Sequence, residues 1–245
     1  MNKTILFIRG LLFFIGMVIV TLIHATLSFL FFPFKIETRY AFVTLWTRML
    51  LKWLALTCGI NHQVIGNENI PAQSSIIFCK HQSMWETLAL QVIFPQQTWV
   101  LKKELLHVPF FGWALALLKP IAIDRSDKKS AMQQMLTQGK AQLNSGRWVV
   151  VFPEGTRVAP GHTHKFSKGG AVLAQESKAL LVPVAHNAGN FWPRRGFIKY
   201  PGTITLIIGK PINPQNLTPA EILQQAESWI NTTVAQMDSG VHFEQ

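Results

Sequence analysis

The sequence predicts an α/β fold: a mixed, largely parallel sheet flanked by helices, preceded by a membrane-embedded helical segment at the N-terminus. Three observations carry this prediction. After residue 59, apolar runs of strand length alternate with longer helical patterns, which is typical of a sheet covered by helices on both faces. Residues 10–34 contain no charged side chain. A chain of 245 residues can also bury one substantial core.

The composition narrows the partners of the protein. Apolar residues make up 49% of the chain, and the formal net charge is +11. Such a positive charge indicates an anionic partner, either a nucleic acid or a membrane surface. The two cysteines, Cys58 and Cys79, lack metal-ligand spacing and are too few for a disulfide framework. We therefore expect a reduced, cytosolic setting for the main domain.

The N-terminal segment is long enough to cross a bilayer. As a helix, residues 10–34 would extend about 37 Å, against about 30 Å for the hydrocarbon core. A signal peptide is the alternative, because Lys3 and Arg9 precede the apolar run. The run is longer than a usual signal sequence, however, and no small-residue cleavage site ends it. Insertion is therefore the favoured interpretation.

Residues 35–57 mix cations with large aromatic side chains, as expected for a helix in the headgroup region. An ordinary amphipathic core helix is the alternative. The cations follow the apolar run, so the positive-inside rule places the remainder of the chain in the cytoplasm. We expect residues 1–57 to form a membrane helix or a helical hairpin and residues 58–245 to form the α/β domain. The pattern leaves open whether the N-terminal segment spans the bilayer or enters one leaflet.

Seven strands and five helices are predicted in the α/β region. The strands are Gln63–Ile65, Ser75–Cys79, Trp99–Lys102, Pro120–Ile123, Trp148–Phe152, Leu180–Ala185 and Thr203–Ile208. The helices are Ser83–Val92, Glu104–Leu117, Lys128–Asn144, Lys168–Ser177 and Pro219–Met237. Thr218 and Glu221 have the spacing of a capping box at the start of the last helix.

A histidine and a carboxylate follow the strand at residues 75–79. His81 and Glu86 are five positions apart, and on one helix they would point about 140° apart. They can meet only if His81 lies on the loop and Glu86 in the first helical turn, where Ser83-x-x-Glu86 predicts a capping box. A histidine with a carboxylate partner can act as a general base near neutral pH. The alternative is that Glu86 only caps the helix.

A second and a third strand also end in polar groups. Asp124 and Arg125 follow the strand at residues 120–123, although they could simply pair or cap the next helix. The strand at residues 148–152 is followed by Pro153 and then by Glu154, Gly155, Thr156 and Arg157. An arginine fork suits phosphate, and glycine lets the backbone approach a ligand. A surface turn with a solvated arginine is the alternative.

One further pair of cations, Lys102 and Lys103, follows the strand that begins at Trp99. This pair could add positive charge to the same edge of the sheet, or it could be solvated. In open α/β sheets, ligands gather at the carboxyl ends of the strands. The sequence therefore predicts one site shared by these loops, with no metal-ligand cluster.

Four of these segments together resemble the motif blocks of the 1-acylglycerol-3-phosphate acyltransferase family. The blocks match in order and spacing, and the resemblance covers roughly residues 52–212. They are His81-x4-Glu86, Ile123-Asp124-Arg125, Phe152-Pro153-Glu154-Gly155-Thr156-Arg157 and Val182-Pro183-Val184. Residues 186–194 resemble the proteobacterial branch. Most members have aspartate where this chain has Glu86, a glutamate that reaches one methylene further.

The resemblance implies a glycerolphosphate acyltransferase-like fold and a reaction. His81 would deprotonate the sn-2 hydroxyl of lysophosphatidic acid, while Glu86 orients the imidazole. The alkoxide would attack the thioester of the co-substrate, acyl-CoA or acyl carrier protein, and phosphatidic acid would form in phospholipid biosynthesis. Free amides at the Ser83 helix start would stabilise the oxyanion. The resemblance implies neither a metal nor a cofactor.

The resemblance also implies the substrate-binding residues and the location. The enzyme would lie in the bacterial inner membrane, with its catalytic domain facing the cytoplasm and with the phospholipid bilayer as a partner. Phosphate and glycerol would be bound by Lys103, Arg125, Glu154, Gly155, Thr156 and Arg157. Of these, Glu154 would order the arginine cluster or contact the glycerol.

Three alternatives remain at this point. The acceptor could be another lysophospholipid or lipid. The chain could instead bind nucleic acid, but its cations fall partly beside the apolar N-terminus or at the strand ends, so we expect no nucleic-acid partner. It could also be a membrane scaffold without activity, although the set of His81, Glu86, Glu154 and Arg157 is complete.

Overall fold

A single mixed sheet forms the centre of the computed structural model, which describes residues 2–124 and 127–240. Within those residues seven strands lie in the order β1-β7-β6-β2-β5-β3-β4. Only β6 and β7 pair in the antiparallel sense; the other neighbours are parallel. The strands are β1 Ile60–Ile65, β2 Ile76–Cys79, β3 Gln97–Lys102, β4 Ile121–Ile123, β5 Trp148–Val151, β6 Leu181–His186 and β7 Gly202–Ile208. The predicted largely parallel sheet is confirmed.

The central strands are buried on both faces. Every residue of β2, β5 and β6 is buried, as expected for parallel strands covered by helices on both sides. One hydrophobic cluster joins the sheet to the helices Lys3–Ser28, Ile36–Cys58 and Trp85–Ile93. A second joins it to the helices Lys128–Asn144, Gly169–Ser177 and Pro219–Asp238. The apolar runs in the sequence predicted β2, β5 and β6 because burial on both faces leaves no polar alternation.

Eight α-helices surround this sheet in the described part of the chain. They are α1 Lys3–Ser28, α2 Ile36–Cys58, α3 Trp85–Ile93, α4 Phe111–Ala116, α5 Lys128–Asn144, α6 Gly169–Ser177, α7 Ala188–Phe191 and α8 Pro219–Asp238. The capping box predicted for α8 is present: the Glu221 amide donates to Thr218 Oγ1 at 3.3 Å, and the Thr218 amide donates to Glu221 Oε2 at 2.7 Å.

One helix prediction is wrong. Residues 104–117 do not form a continuous helix but a 3-10 helix, Lys103–His107, followed by α4. The break falls at Pro109, which has no amide hydrogen and disfavours helical backbone at the preceding Val108. Val108 is accordingly extended, with ψ of 119°. The short α7 was not predicted, because four residues carry no periodic signal.

The two N-terminal helices form an antiparallel hairpin. Trp46 Nε1 donates to Thr21 Oγ1 at 2.9 Å, and His24 Nε2 lies 2.9 Å from the carbonyl oxygen of Phe42. Both helices are long and apolar enough to cross a membrane, judged by length and composition. α2 leads into β1 through Gly59, whose φ of 67° ends the helix in the left-handed region.

The hairpin packs along the α/β domain rather than extending away from it. Near the start of α1, the ring centroid of Phe7 lies 5.1 Å from that of Phe197. Past the end of α1, Phe29 lies 6.5 Å from Trp113 of α4. The domain therefore contacts both ends of α1.

Candidate active site

Four neighbouring parallel strands bring functional side chains to one edge of the sheet. The order β6-β2-β5-β3 places their carboxyl ends side by side. β6 ends at His186, β2 is followed by His81, β5 is followed by Glu154, and β3 ends at Lys102. This is the edge at which ligands bind in open α/β sheets.

His81 and Glu86 meet as a hydrogen-bonded pair. His81 lies on the loop after β2, Glu86 is the second residue of α3, and His81 Nδ1 lies 2.8 Å from Glu86 Oε1. An ionised carboxylate can only accept, so Nδ1 carries the hydrogen of a neutral imidazole. The basic lone pair of electrons is then on Nε2. This nitrogen does not contact Glu86 and can accept a proton.

The longer side chain of Glu86 is accommodated by the backbone at the start of α3. Its Oε1 accepts hydrogen bonds from the Gln82 amide at 2.9 Å and the Ser83 amide at 2.8 Å. The expectation that these amides are free to bind an oxyanion is therefore wrong. Half of the predicted capping box is present, because the Glu86 carboxylate accepts from the Ser83 amide. The other half is absent, because the Ser83 hydroxyl accepts from the Trp85 amide instead of the Glu86 amide.

Glu86 is fully buried, and it remains ionised. Burial raises the pKa of the carboxyl, but the contacts with His186 and His81 and the hydrogen bond from the Ser83 amide outweigh burial. The net pKa of Glu86 is therefore lowered. A buried carboxylate with this many donors is a fixed negative charge beside His81.

The loop after β5 holds His81 on three sides. The Phe152 ring stacks on the imidazole, with centroids 4.1 Å apart and planes 17° apart. The His81 amide donates to Glu154 Oε2 at 2.8 Å, and its carbonyl accepts from the Val158 amide at 2.8 Å. The position of the imidazole is thus set by two loops that are far apart in the sequence.

Glu154 lies behind the site, in a buried ion pair with Lys80. Lys80 Nζ is 2.6 Å from Glu154 Oε1, and the side chains are 2% and 0% exposed. Both carboxylate oxygens of Glu154 therefore have partners within the chain, one in Lys80 and one in the His81 amide. This geometry favours a positioning role for Glu154 over the expected contact with an arginine cluster or glycerol.

A cavity of about 430 Å³ opens in front of His81. Its polar end is lined by His81, Gly155, Arg157 and Lys102. From there it passes between β3, α4 and the two N-terminal helices. The rest of its wall is largely apolar and includes Ala25, Val43, Trp46, Trp99, Leu101, Leu105, Phe111, Ala114, Leu115 and Leu118.

The structure brings some of the predicted binding residues to this cavity and not others. Gly155, with φ of 65°, and Arg157 line it. Lys102 lines it in place of the predicted Lys103, which is exposed at the start of the 3-10 helix. Thr156 is half-buried and is not part of the lining. Arg125 lies outside the described residues.

His186 is a buried group at the site that the sequence analysis did not single out. Its Nε2 lies 2.9 Å from the Lys80 carbonyl oxygen and 3.8 Å from Glu86 Oε2. Its Nδ1 accepts from the Ala188 amide at 3.2 Å, which fixes a neutral ring with the hydrogen on Nε2. Burial lowers the pKa of His186, although the charge of Glu86 opposes this effect. The sequence could have indicated His186 as a site residue, because it lies at the carboxyl end of a predicted strand.

Lys80 and Phe152 were also missed as site residues. Lys80 precedes the first motif block and Phe152 begins the third. Neither spacing nor residue type indicated that Lys80 pairs with Glu154 or that Phe152 stacks on His81. Within residues 2–124 and 127–240, no group of three or more His, Cys, Asp or Glu side chains is placed to hold a metal ion.

Comparisons with known proteins agree with this arrangement. The sequence profile of a family described as Acyltransferase matches residues 61–187. The chain is 45% identical over 240 residues to the 1-acyl-sn-glycerol-3-phosphate acyltransferase of Pseudomonas aeruginosa, covering 96% of this chain and 93% of the relative. It is 32% identical over 192 residues to the protein of the same name from Saccharomyces cerevisiae, covering 73% and 63%.

A solved structure shares the fold over the full length of both chains. The crystal structure of the 1-acyl-sn-glycerophosphate acyltransferase from Thermotoga maritima matches with a TM-score of 0.81 at 20% sequence identity, covering 100% of each chain. The similarity extends over the N-terminal hairpin as well as the sheet.

Replacing Lys80 with methionine should lower the free energy of unfolding by about 3–5 kcal/mol, because the charge of Glu154 would be left buried without its cation. Chemical denaturation in detergent measures this loss. Lys140→Met is the matched control, since the ion pair of Lys140 with Glu176 is 39% exposed on each side and should contribute about 0–1 kcal/mol. Equal losses in the two variants would contradict the role of the buried pair.

The stability of the protein should fall below about pH 6.5, and His186 should account for part of this fall. Above its ordinary pKa of 6.5 the ring is neutral in both states, whereas below it the unfolded chain takes up the proton first. The groups facing His186 are Glu86, His81 and Glu154. The lowered pKa of Glu86 acts in the same direction at lower pH, since its contribution is complete above 4.5 and lost as pH falls further.

The thermal midpoint of the purified chain, measured between pH 8 and pH 5, checks this expectation. The wild type should lose more stability over that range than His186→Gln, which cannot be protonated. His162→Gln removes an exposed histidine and should leave the wild-type slope unchanged. If His186→Gln keeps the wild-type slope, the buried histidine is not the source of the pH dependence.

Proposed function

Because the chain belongs to the 1-acylglycerol-3-phosphate acyltransferase family, we propose that it is a membrane-bound enzyme of phospholipid biosynthesis that acylates the sn-2 hydroxyl of lysophosphatidic acid. The product is phosphatidic acid. The donor is the thioester of acyl-CoA or of acyl carrier protein. The observation that carries this proposal is the 2.8 Å pair of His81 and Glu86 at the mouth of a largely apolar cavity that also contains Arg157.

The pair accounts for a direct transfer. With Nδ1–H donated to Glu86, His81 Nε2 accepts the proton of the acceptor hydroxyl as the oxygen attacks the thioester carbonyl. The new C–O bond forms, the C–S bond breaks, and the leaving thiolate takes the proton back from His81. The ionised Glu86 stabilises the imidazolium in between, as a carboxylate does for a histidine base in hydrolases. Glu154 and Lys80 act as positioning residues by holding the His81 backbone.

The polar end of the cavity suits a phosphate. Arg157 presents a guanidinium fork, and Lys102 adds a second cation on the same wall. Gly155 lines the same end at a left-handed turn, where the lack of a side chain lets a ligand approach closely. We therefore assign the acceptor phosphate to Arg157 and Lys102, with Arg125 and Thr156 retained as predicted contributors. Lys103, the next residue along the chain, does not line the cavity.

The apolar part of the cavity suits an acyl chain. Its volume falls within the range of ligand pockets, and it runs from His81 to side chains of α1 and α2. A fatty acyl group bound there would be removed from water while its carbonyl stays beside the base. The hairpin thereby forms one wall of the site in addition to any role in membrane attachment.

The hairpin fits a location in one leaflet better than a complete span. Phe7 contacts Phe197 of the domain, and Phe29 contacts Trp113. These two points are about 33 Å apart along the helix at 1.5 Å per residue. A hairpin perpendicular to the bilayer would carry the attached domain through the whole hydrocarbon core of about 30 Å. Only 17% of the most apolar 18-residue stretch of the first helix is buried in the protein. The outer face of this helix is therefore available for lipid.

The same arrangement supports a location on the cytoplasmic face of the bacterial inner membrane. The exposed cations of α2 and the α/β domain would lie toward the anionic headgroups, consistent with the net charge of +11. The acceptor and product, both lipids, would then remain in the leaflet beside the cavity.

Changing His81 to alanine should lower acyl transfer by at least about 100-fold, the usual contribution of a general base. Mass spectrometry of the product formed from lysophosphatidic acid with each donor measures it. Glu86→Gln should also lower transfer, because the neutral amide no longer stabilises the imidazolium. Both variants should still sediment with membranes. A His81→Ala variant with near wild-type transfer would exclude His81 as the base, and no transfer by the wild type would favour a scaffold.

Changing Arg157 to alanine should raise the KM for lysophosphatidic acid more than the KM for the acyl donor, because the lost contact is to the acceptor phosphate. One charge-assisted hydrogen bond contributes about 1.5–3 kcal/mol, which corresponds to roughly a 10- to 100-fold change. Lys140→Ala, on the opposite side of the sheet in α5, is the control. Equal changes in the two KM values would contradict the assignment of the phosphate to Arg157.

A further inference from the structure

A second apolar surface lies outside the N-terminal hairpin, on the segment from residue 103 to residue 119. Four of its large apolar side chains are exposed, and contiguous exposed apolar patches mark sites of interaction with proteins or membranes. They are Leu105 at 42%, Val108 at 42%, Phe110 at 39% and Trp113 at 46%. The segment comprises the 3-10 helix, the Pro109 break and α4, and we call it the 103–119 segment.

The exposed side chains form a continuous surface with the hairpin. The ring of Trp113 lies 5.5 Å from that of Phe110 and 6.5 Å from that of Phe29, which follows α1. Phe29 is itself 41% exposed. A lipid that covers the outer face of α1 would therefore also reach Trp113 and Phe110.

The backbone holds this surface in place. Phe110 has φ of 60° and ψ of −64°, and the Phe111 amide donates to the Pro109 carbonyl at 2.7 Å. This is the strained form of the three-residue turn, and it leaves Phe110 exposed. A side chain on Gly112 would come within 2.4 Å of the Leu105 carbonyl oxygen, so α4 packs directly on the 3-10 helix. The segment is a compact unit, not a loose loop.

Cations border the apolar surface. Lys102, Lys103 and Lys119 are exposed at its edges, and Glu104 is the acidic exception. Apolar and aromatic side chains fringed by lysines match the boundary between acyl chains and anionic headgroups. This charge pattern fits a bilayer better than a protein partner.

From these observations we propose that the 103–119 segment is a further membrane-inserting element, and that it forms the rim across which acyl chains pass between the bilayer and the cavity. Leu105 is both exposed and part of the cavity lining, and Phe111, next to Phe110, lines the cavity and contacts Trp46 of α2. The inference rests on the membrane location and the acyl cavity of the proposed function. It adds the place where lipid and cavity meet.

A fluorescent label at Val108 tests the insertion. Cys58 and Cys79 are buried, so Val108→Cys can be labelled selectively with nitrobenzoxadiazole, with the unmodified chain as the labelling control. In vesicles of phosphatidylethanolamine and phosphatidylglycerol, the label should shift to the blue and be quenched by lipids that carry a quencher in the acyl chain. The same label on Gln175→Cys, exposed on α6 across the sheet, should remain in water.

Three results of the labelling experiment would overturn the inference. One is an emission spectrum typical of water from the label at position 108 when the protein is bound to vesicles. Another is equal quenching at positions 108 and 175. The third is a blue shift in detergent that grows with protein concentration, since this would show that a second copy of the chain covers the surface. These readings do not depend on acyl transfer, so they judge the inference even if the proposed function fails.

A double variant tests the rim. Val108→Ser with Trp113→Ser removes two exposed side chains that do not line the cavity. Transfer to lysophosphatidic acid embedded in vesicles should fall about tenfold, as expected when large apolar side chains no longer insert. Transfer in detergent micelles, which deliver the lipid without a bilayer, should stay within about twofold. An equal loss in vesicles and micelles, or no loss in either, would overturn the role of the segment as a rim.

Discussion

The buried carboxylate of Glu154 connects the loops on which the site depends. One oxygen binds Lys80 at 2.6 Å and the other accepts the His81 amide at 2.8 Å. A buried ion pair is costly to desolvate unless further hydrogen bonds satisfy it, and here the His81 backbone supplies one of them. Because the buried Glu154 carboxylate needs this hydrogen bond, it fixes the backbone of His81. The contact also couples the end of β2 to the end of β5.

The chemistry of the site follows from that fixed backbone. His81 is held by its peptide groups, stacked on Phe152 and oriented by Glu86, so its Nε2 faces the cavity in one tautomer. Glu86 reaches the amides of Gln82 and Ser83 as well as the His81 imidazole. The electrostatic interactions with His186 and His81, together with the hydrogen bonds from His81 and the Ser83 amide, keep the carboxylate ionised despite full burial.

In the function that we propose, the position of the hairpin gives the site its access to lipid. α1 and α2 lie along the domain, so the cavity before His81 is bounded by the same helices that we propose to face the membrane. A catalytic domain held on a long linker would have to extract each lipid into water. Here the largely apolar cavity and the exposed apolar faces of α1 and of the 103–119 segment are neighbours. In the proposed function, acyl chains would therefore stay out of water throughout, which is the favourable arrangement for apolar surface.

The sequence by itself determined the strands, the apolar N-terminus and the placement of His81, Glu86 and Arg157 at strand ends, because these depend on local burial and turn chemistry. It also contained the reason for the break at Pro109, although the helical pattern concealed it. Only the tertiary structure decided that Glu154 pairs with Lys80, that His186 reaches the Lys80 carbonyl and that Lys102 rather than Lys103 faces the cavity. The first two contacts join residues 74 and 106 positions apart. No local pattern encodes which buried charge will meet which partner, since the order of strands in the sheet sets that distance.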